Sequence, residues 1–166
     1  MKERVRESVF NLVGPAVKGK HAIDLFAGTG ALGLEALSRG AAKATFIEQH
    51  FPTAAIIRQN IEQLGLGDVA DVQPANTFIW ARRAVATPDP WLVFCSPPFD
   101  FYVERAAEMQ AMLERLCSLA KPESIFVVEA DHRFDFSMLP HADDWDVREY
   151  PPAVVGIYHP PVDDGA

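Results

Sequence analysis

Apolar and polar residues follow two different periods along this chain, and these periods predict helices and strands in alternation. Between residues 3 and 13, Val5, Val9, Phe10 and Val13 fall on one helical face and the charged residues fall on the other. The same pattern predicts helices over 31–38, 51–64, 77–86 and 102–120. Mostly apolar runs predict strands over 21–26, 43–47, 69–73, 91–95 and 124–129. In the helix over 102–120, the residues predicted to face inward are Val103, Ala106, Ala107, Leu113, Leu116 and Cys117.

The order of these elements predicts the architecture. Strand and helix alternate at least four times, which is typical of right-handed βαβ units in a mainly parallel sheet with helices on both faces. The last two predicted strands, 145–150 and 154–158, have no helix between them and therefore predict an antiparallel pair at one edge. The sequence predicts one doubly wound, Rossmann-like α/β domain over 1–166. An N-terminal helix within 1–14 and a flexible tail over 160–166 are expected.

Composition narrows the classes of function. The 166 residues are 49% apolar, which is enough for a packed core and excludes a mostly disordered chain. No run reaches the roughly 18 apolar residues of a membrane span, and the N-terminus has no apolar signal-peptide core. A cytoplasmic protein with no membrane partner is therefore expected. The two cysteines and five histidines have spacings that fit no metal motif, so no metal site is predicted.

Charge is distributed unevenly along the chain. The formal net charge is −8, which alone argues against a protein that grips nucleic acid by bulk electrostatics. Residues 1–43, however, hold seven Lys or Arg and four Asp or Glu, a local balance of +3, while the rest of the chain carries −11. The acidic total therefore conceals a basic N-terminal end.

A glycine-rich turn predicts a nucleotide-like cofactor. Residues 28–33 read G-T-G-A-L-G between a predicted strand and a predicted helix, and Glu48 follows 20 residues after Gly28. The alternatives are a structural turn, a dinucleotide site and a site for S-adenosyl-L-methionine. Asp24, at the end of the first strand, would repel a pyrophosphate but would attract the ammonium group of S-adenosyl-L-methionine, directly or through water. Gly28 and Gly30 let the backbone approach the methionine part, and Glu48 is positioned to accept both ribose hydroxyls.

Four segments carry a resemblance to a known family. Residues 4–11 (RVRESVFN), 24–42 (DLFAGTGALGLEALSRGAA), 46–48 (FIE) and 60–65 (NIEQLG) resemble the bacterial 16S ribosomal RNA guanine-N2 methyltransferases. The resemblance is close over residues 4–66 and looser over 91–129. It implies a seven-strand methyltransferase fold, a monomer, and ribosomal RNA or the assembling small ribosomal subunit as partner. The cofactor-binding residues predicted with it are Asp24, Phe26, Ala27, Gly28, Gly30, Glu48, Gln49 and Asn76.

The turn Ser96-Pro97-Pro98-Phe99 resembles the (Asp/Asn)-Pro-Pro-(Tyr/Phe) motif of enzymes that methylate exocyclic amines, and these four residues are the predicted catalytic set. In that motif the first side chain and the first proline carbonyl accept the two amine hydrogens, while the aromatic ring stacks on the flipped base. The prolines hold this geometry in advance. Here Ser96 replaces the acidic or amide residue. Losing a charge-assisted hydrogen bond forfeits roughly 1–3 kcal/mol, or about tenfold to a hundredfold in rate.

Two further departures from the family bear on the prediction. Where family members show Gly-Asp-Ala, this chain has Ala75 and Asn76, and the amide oxygen of Asn76 is a candidate acceptor for the adenine amine if the loop is shifted by one residue. The family's basic hairpin before the first helix is not in this sequence, which predicts weak binding to naked RNA. The primary hypothesis is methylation of a guanine N2 amine in small-subunit ribosomal RNA. The alternatives are a degenerate member that binds cofactor or RNA without catalysis, and a nicotinamide oxidoreductase.

Overall fold

The structure is a computed structural model in which residues 1–160 are described. Its helices are α1 (Glu3–Val13), α2 (Ala31–Ser38), α3 (Phe51–Gln63), α4 (Thr77–Arg83), α5 (Phe101–Glu104) and α6 (Ala106–Leu119). Its strands are β1 (His21–Asp24), β2 (Lys43–Ile47), β3 (Ala70–Gln73), β4 (Trp91–Cys95), β5 (Ile125–Asp131), β6 (Trp145–Tyr150) and β7 (Ala153–Tyr158). The tail predicted over 160–166 lies outside the described residues from position 161 onward.

The strands form one seven-stranded sheet in the order β3-β2-β1-β4-β5-β7-β6. The pairs among β1 to β5 are parallel, whereas β7 runs antiparallel to both β5 and β6. The predicted fold class and its antiparallel terminal pair are therefore confirmed. Because parallel strands end at the same edge of a sheet, β1, β2, β4 and β5 deliver their carboxyl ends to one crevice.

Both faces of the sheet are covered by apolar side chains, as the continuous apolar strands require. In β4 every residue is buried, and successive side chains enter opposite layers. Leu92 and Phe94 join the layer that contains Phe10 of α1, and the rings of Phe10 and Phe94 lie 5.5 Å apart. Val93 and Cys95 join the layer that contains Leu113 of α6. This packing holds the end of β4, and hence the turn that follows it, between two rigid layers.

The predicted helix over 102–120 is interrupted. Arg105 has φ −129° and ψ 36°, which separates α5 from α6 and resets the helical phase. Val103 is therefore 54% exposed, and Ala106 and Ala107 are exposed, so their predicted inward orientation is wrong. The residues of α6 that are buried are Met109, Met112, Leu113 and Leu116.

Several predicted ends also move. The first strand ends at Asp24, two residues before its predicted limit, because the chain turns there into the glycine-rich loop. The helix from Thr77 ends at Arg83, where Ala84 takes up an extended conformation. The fifth strand, by contrast, runs on to Asp131, because β7 pairs with it as far as that residue.

Candidate active site

A cavity of about 700 Å³ opens at the carboxyl ends of the central strands. Ten of the predicted site residues line it: Phe26, Ala27, Gly28, Glu48, Gln49, Asn76, Ser96, Pro97, Pro98 and Phe99. Asp24 and Gly30 do not line it. The predicted cofactor loop and the predicted catalytic turn, which are about 70 residues apart in sequence, therefore share one cavity.

The glycines of the turn have different roles. Gly28 has φ 57°, and a Cβ added there would meet nothing within 4 Å, so its backbone borders open space. Gly30 has φ 86°, and a Cβ there would come 3.2 Å from the Ile57 side chain. At Gly33 a Cβ would collide with the Phe46 ring. The last two glycines therefore allow α2 to pack closely on the sheet, while Gly28 leaves room for a ligand.

Glu48 is held in place by the backbone on either side of it. Its Oε1 accepts a hydrogen bond from the Gly28 N–H at 2.9 Å, and its Oε2 accepts one from the His50 N–H at 2.9 Å. Each carboxylate oxygen retains further acceptor capacity. Because the side chain lies at the cavity wall with both oxygens fixed, it can accept two neighbouring hydroxyl groups.

Asp24 lies deeper than the sequence predicts. The residue is 1% exposed, and its Oδ2 accepts a hydrogen bond from the Gly33 N–H at 3.2 Å. Its other oxygen, Oδ1, is buried and has no hydrogen-bond partner. Burial raises the pKa of this carboxyl from 3.8 to about 7, and the Gly33 N–H opposes the rise. Asp24 therefore supports the glycine turn from within the protein and does not line the cavity, and its contact with the cofactor ammonium stays a prediction.

Asn76 has a structural role that the sequence did not suggest. It caps α4, with Oδ1 accepting from the Ile79 N–H at 3.1 Å. Its Nδ2 donates to Oε1 of Gln49 at 3.2 Å. The oxygen predicted to receive the adenine amine is thus used by the helix cap, although both side chains line the cavity.

An aromatic cluster forms another wall. The rings of Phe26, Phe78 and Phe101 have centroids 5.8 to 6.2 Å apart. The guanidinium of Arg105 lies 5.0 Å from the Phe101 centroid and 5.7 Å from that of Phe78. Sequence reasoning missed Phe78 and Arg105, because neither stands in a motif. The cluster offers flat apolar surface and a cation to a ring system.

The predicted catalytic turn contacts an acid that the sequence motifs did not indicate. The Ser96 hydroxyl donates to Oε1 of Glu129 at 2.5 Å, and Glu129 is only 3% exposed. The α-amino group of Met1 lies 3.7 Å from the same oxygen. The pairing follows from the sheet, since Cys95 at the end of β4 is in register with Val128 of β5, and the residue that follows each of them forms the contact. A carboxylate near the end of a fully buried strand was the signal that could have found Glu129.

The basic N-terminal end reaches the same cavity. Lys2, Arg4 and Arg6 line it, and Arg6 also forms an ion pair with Glu35 at 3.4 Å.

Within residues 1–160, no three His, Cys, Asp or Glu side chains are grouped so as to hold a metal ion. None of the helices in this part of the chain combines the length and apolar character needed to span a bilayer.

Comparison with known proteins places the site in context. A family model described as "Conserved hypothetical protein 95" matches residues 1–157. Ribosomal RNA small subunit methyltransferase D of Haemophilus influenzae is 32% identical over 132 residues, which are 78% of this chain and 66% of that protein. The chain thus spans slightly less than two thirds of this relative. These similarities confirm the family resemblance seen in the sequence.

Solved structures of other proteins share the fold, among them the following two. The protein yhhF from Escherichia coli has a TM-score of 0.79 and 30% identity, with 95% of this chain and 85% of that chain covered. An RNA methyltransferase from Salinibacter ruber, solved in complex with S-adenosyl-L-homocysteine, has a TM-score of 0.71 and 16% identity. That match covers 99% of this chain and 96% of the other, and at this identity it supports the fold.

Proposed function

The chain belongs to the family described as Conserved hypothetical protein 95, and on that premise we propose that it is an S-adenosyl-L-methionine-dependent methyltransferase of ribosomal RNA. One observation carries the proposal. The glycine-rich turn with Glu48 and the Ser96–Phe99 turn open into a single cavity. A methyl donor and an acceptor base could therefore meet there. The Haemophilus influenzae relative, named as a small-subunit ribosomal RNA methyltransferase, supports the same class of substrate.

The residues of the cavity fit S-adenosyl-L-methionine as cofactor. The unpartnered Oδ1 of Asp24 is a buried acceptor beneath the glycine turn, and the space at Gly28 admits a ligand against the backbone. Glu48 would accept the ribose hydroxyls, and the Phe26, Phe78 and Phe101 rings would contact the adenine. When bound, the cofactor supplies an electrophilic methyl group.

The target we propose is the exocyclic N2 amine of a guanine in small-subunit ribosomal RNA. The first proline carbonyl and the Ser96 oxygen would accept the two amine hydrogens, which leaves the nitrogen lone pair directed at the methyl group. Phe99 would stack on the base, and the two prolines keep the turn in this arrangement. An amine of this kind needs orientation more than it needs a strong base.

The basic residues at the cavity would position the RNA. Lys2, Arg4, Arg6 and Arg105 all line it, and cationic side chains hold phosphates without reading sequence. With a net charge of −8, the protein is expected to bind naked RNA weakly and to depend on shape in an assembled particle. We propose that it acts as a monomer on the assembling small subunit.

The decisive experiment is methyl transfer from labelled cofactor to small subunits that lack the modification, with naked small-subunit RNA as a parallel substrate. Digestion to nucleosides should give N2-methylguanosine. Pro97→Ala should abolish incorporation, because the carbonyl that accepts an amine hydrogen would be displaced. Glu62→Gln, at an exposed position of α3, is the control and should leave incorporation unchanged. Cofactor binding with no incorporation into either substrate would favour the degenerate binding protein. Calorimetric binding of a nicotinamide dinucleotide would favour an oxidoreductase.

A further inference from the structure

Ser96 and Glu129 form a hydrogen-bonded pair beside the proposed target site. Ser96 stands where the related motif has an acid or amide, so the proposed acceptor of the amine is a neutral hydroxyl. A serine hydroxyl has one proton to donate and two lone pairs with which to accept. If that proton pointed into the cavity, it would engage the amine lone pair that must attack the methyl group. A serine with no further partner could therefore either accept an amine hydrogen, as the Asp or Asn of the motif does, or donate to the amine lone pair and block the reaction.

Resting on the methyltransferase function proposed above, we infer that Glu129 is a positioning residue that makes Ser96 an obligate acceptor for the target amine. The Ser96 hydroxyl donates its only proton to Oε1 of Glu129 at 2.5 Å. Both residues line the cavity, and the Ser96 oxygen then has only lone pairs left to offer there. Because the bond is made to a carboxylate, it also polarises the hydroxyl and improves its oxygen as an acceptor.

The protein holds Glu129 rigidly for this purpose. The residue is 3% exposed, and β5 lies between β4 and β7 in the sheet. The Tyr102 hydroxyl donates to the Glu129 carbonyl at 2.8 Å, which fixes the backbone at this residue. The parallel pairing of β4 with β5 sets the side-chain contact to Ser96. The negative charge that an acid at the first position of the motif would supply thus comes here from the neighbouring strand.

The test is a double-mutant cycle measured on undermethylated small subunits, with any tag at the C-terminus so that the Met1 amine is unaltered. Glu129→Met removes the acceptor at similar volume and should lower kcat about 10- to 100-fold, with little change in KM. In a Ser96→Ala background the same substitution should change kcat less than about twofold, because Glu129 acts through the hydroxyl. Glu129→Gln keeps a neutral acceptor and should fall between the wild-type and Glu129→Met proteins. Glu62→Gln is the matched control.

Two readouts other than activity separate positioning from a structural role. The affinity for S-adenosyl-L-homocysteine and the unfolding midpoint should be nearly unchanged in Glu129→Gln. In the proton NMR spectrum, a downfield hydroxyl resonance should be present in the wild-type protein and absent from Ser96→Ala and Glu129→Met. If Glu129→Met does not fold, Glu129→Gln takes its place in the cycle. Its loss of kcat should then be present with Ser96 and nearly absent in the Ser96→Ala background.

The outcomes that overturn the inference are distinct from failure of the proposed function. Equal kcat in the wild-type and Glu129-substituted proteins, or an equal loss with and without the Ser96 hydroxyl, overturns the role of Glu129 while the methyltransferase stands. A wild-type spectrum without the hydroxyl resonance overturns the pairing itself. No transfer by the wild-type protein to any small-subunit substrate overturns the proposed function, and the inference falls with it.

Discussion

Asp24→Asn tests the electrostatics beneath the glycine turn. Asp24 is 1% exposed, and burial raises the pKa of its carboxyl from 3.8 to about 7. Because the pKa is higher in the folded protein, the folded state binds the Asp24 proton more tightly than the unfolded chain does. This contribution to stability is fully present below the unfolded pKa of 3.8 and is lost as the pH rises toward 7.

The magnitude follows from the displacement of the pKa. Each pKa unit corresponds to about 1.36 kcal/mol. The rise of the Asp24 pKa from 3.8 to about 7 therefore contributes about 4 kcal/mol to the free energy of unfolding at low pH, all of which is lost at high pH. Between about pH 5 and pH 8, this titration should lower the free energy of unfolding of the wild-type protein by about 3 kcal/mol. An asparagine is neutral throughout and keeps an oxygen to accept from the Gly33 N–H.

The assay is urea unfolding of the wild-type and Asp24→Asn proteins across that pH window. The free energy of unfolding of the variant, minus that of the wild type, should increase by about 3 kcal/mol between about pH 5 and pH 8. Taking the difference cancels the titration of other groups, and exposed Asp68→Asn is the control. A difference that stays constant with pH would refute the reasoning, because it would mean that Asp24 carries no displaced proton.

The same substitution links the buried carboxyl to the proposed cofactor. A ligand ammonium near Asp24 favours its ionised form, so binding of S-adenosyl-L-homocysteine to the wild-type protein should strengthen from about pH 5 to pH 7 and release a proton. Asp24→Asn should bind more weakly and lack this dependence. Calorimetry in buffers of different ionisation enthalpy measures the proton release directly, and identical proton release in both proteins would exclude the linkage.

Three further substitutions address the site. Gly33→Ala should lower the free energy of unfolding by about 1–3 kcal/mol, since its Cβ meets the Phe46 ring; chemical denaturation measures this, and unchanged stability would contradict the packing. Glu48→Gln should weaken S-adenosyl-L-homocysteine binding about tenfold or more by calorimetry, because the amide can no longer accept at both positions. Tyr102→Phe should cost about 1 kcal/mol of stability through the lost bond to the Glu129 carbonyl, and a change below the error of denaturation would count against that contact.

The sequence predicted most of the fold because the strands that matter are short and continuously apolar. The bounds of α2, β2 and β4 agree with the structure to the residue. Prediction failed at α5 and α6, where apolar periodicity alone could not reveal a change of phase. Arg105 interrupts the helix there while its guanidinium lies over the Phe78 and Phe101 rings, and its contact with Phe78 joins residues that are far apart in sequence.

The parts of the candidate site that lie within short sequence motifs could be predicted from the sequence. The glycine turn, Glu48 and the Ser96–Phe99 turn each stand in a short pattern, and all reach the cavity. Glu129 was missed because its importance comes from strand order, which places β5 beside β4 only once the sheet is assembled. The depth of Asp24 was missed for a similar reason, since the glycine turn folds over it.

The positions of the charges, more than their total, reconcile an acidic protein with the proposed RNA substrate. Asp24, Glu48 and Glu129 lie in or beneath the cavity, where carboxylates favour a cationic cofactor over a pyrophosphate. Lys2, Arg4 and Arg6 line the same cavity, where cations suit a polyanion. Because surface interactions are screened over about 8 Å at physiological ionic strength, these local groups outweigh distant acids for a bound nucleotide. A net charge of −8 therefore constrains the strength of RNA binding but does not exclude methylation of an RNA base.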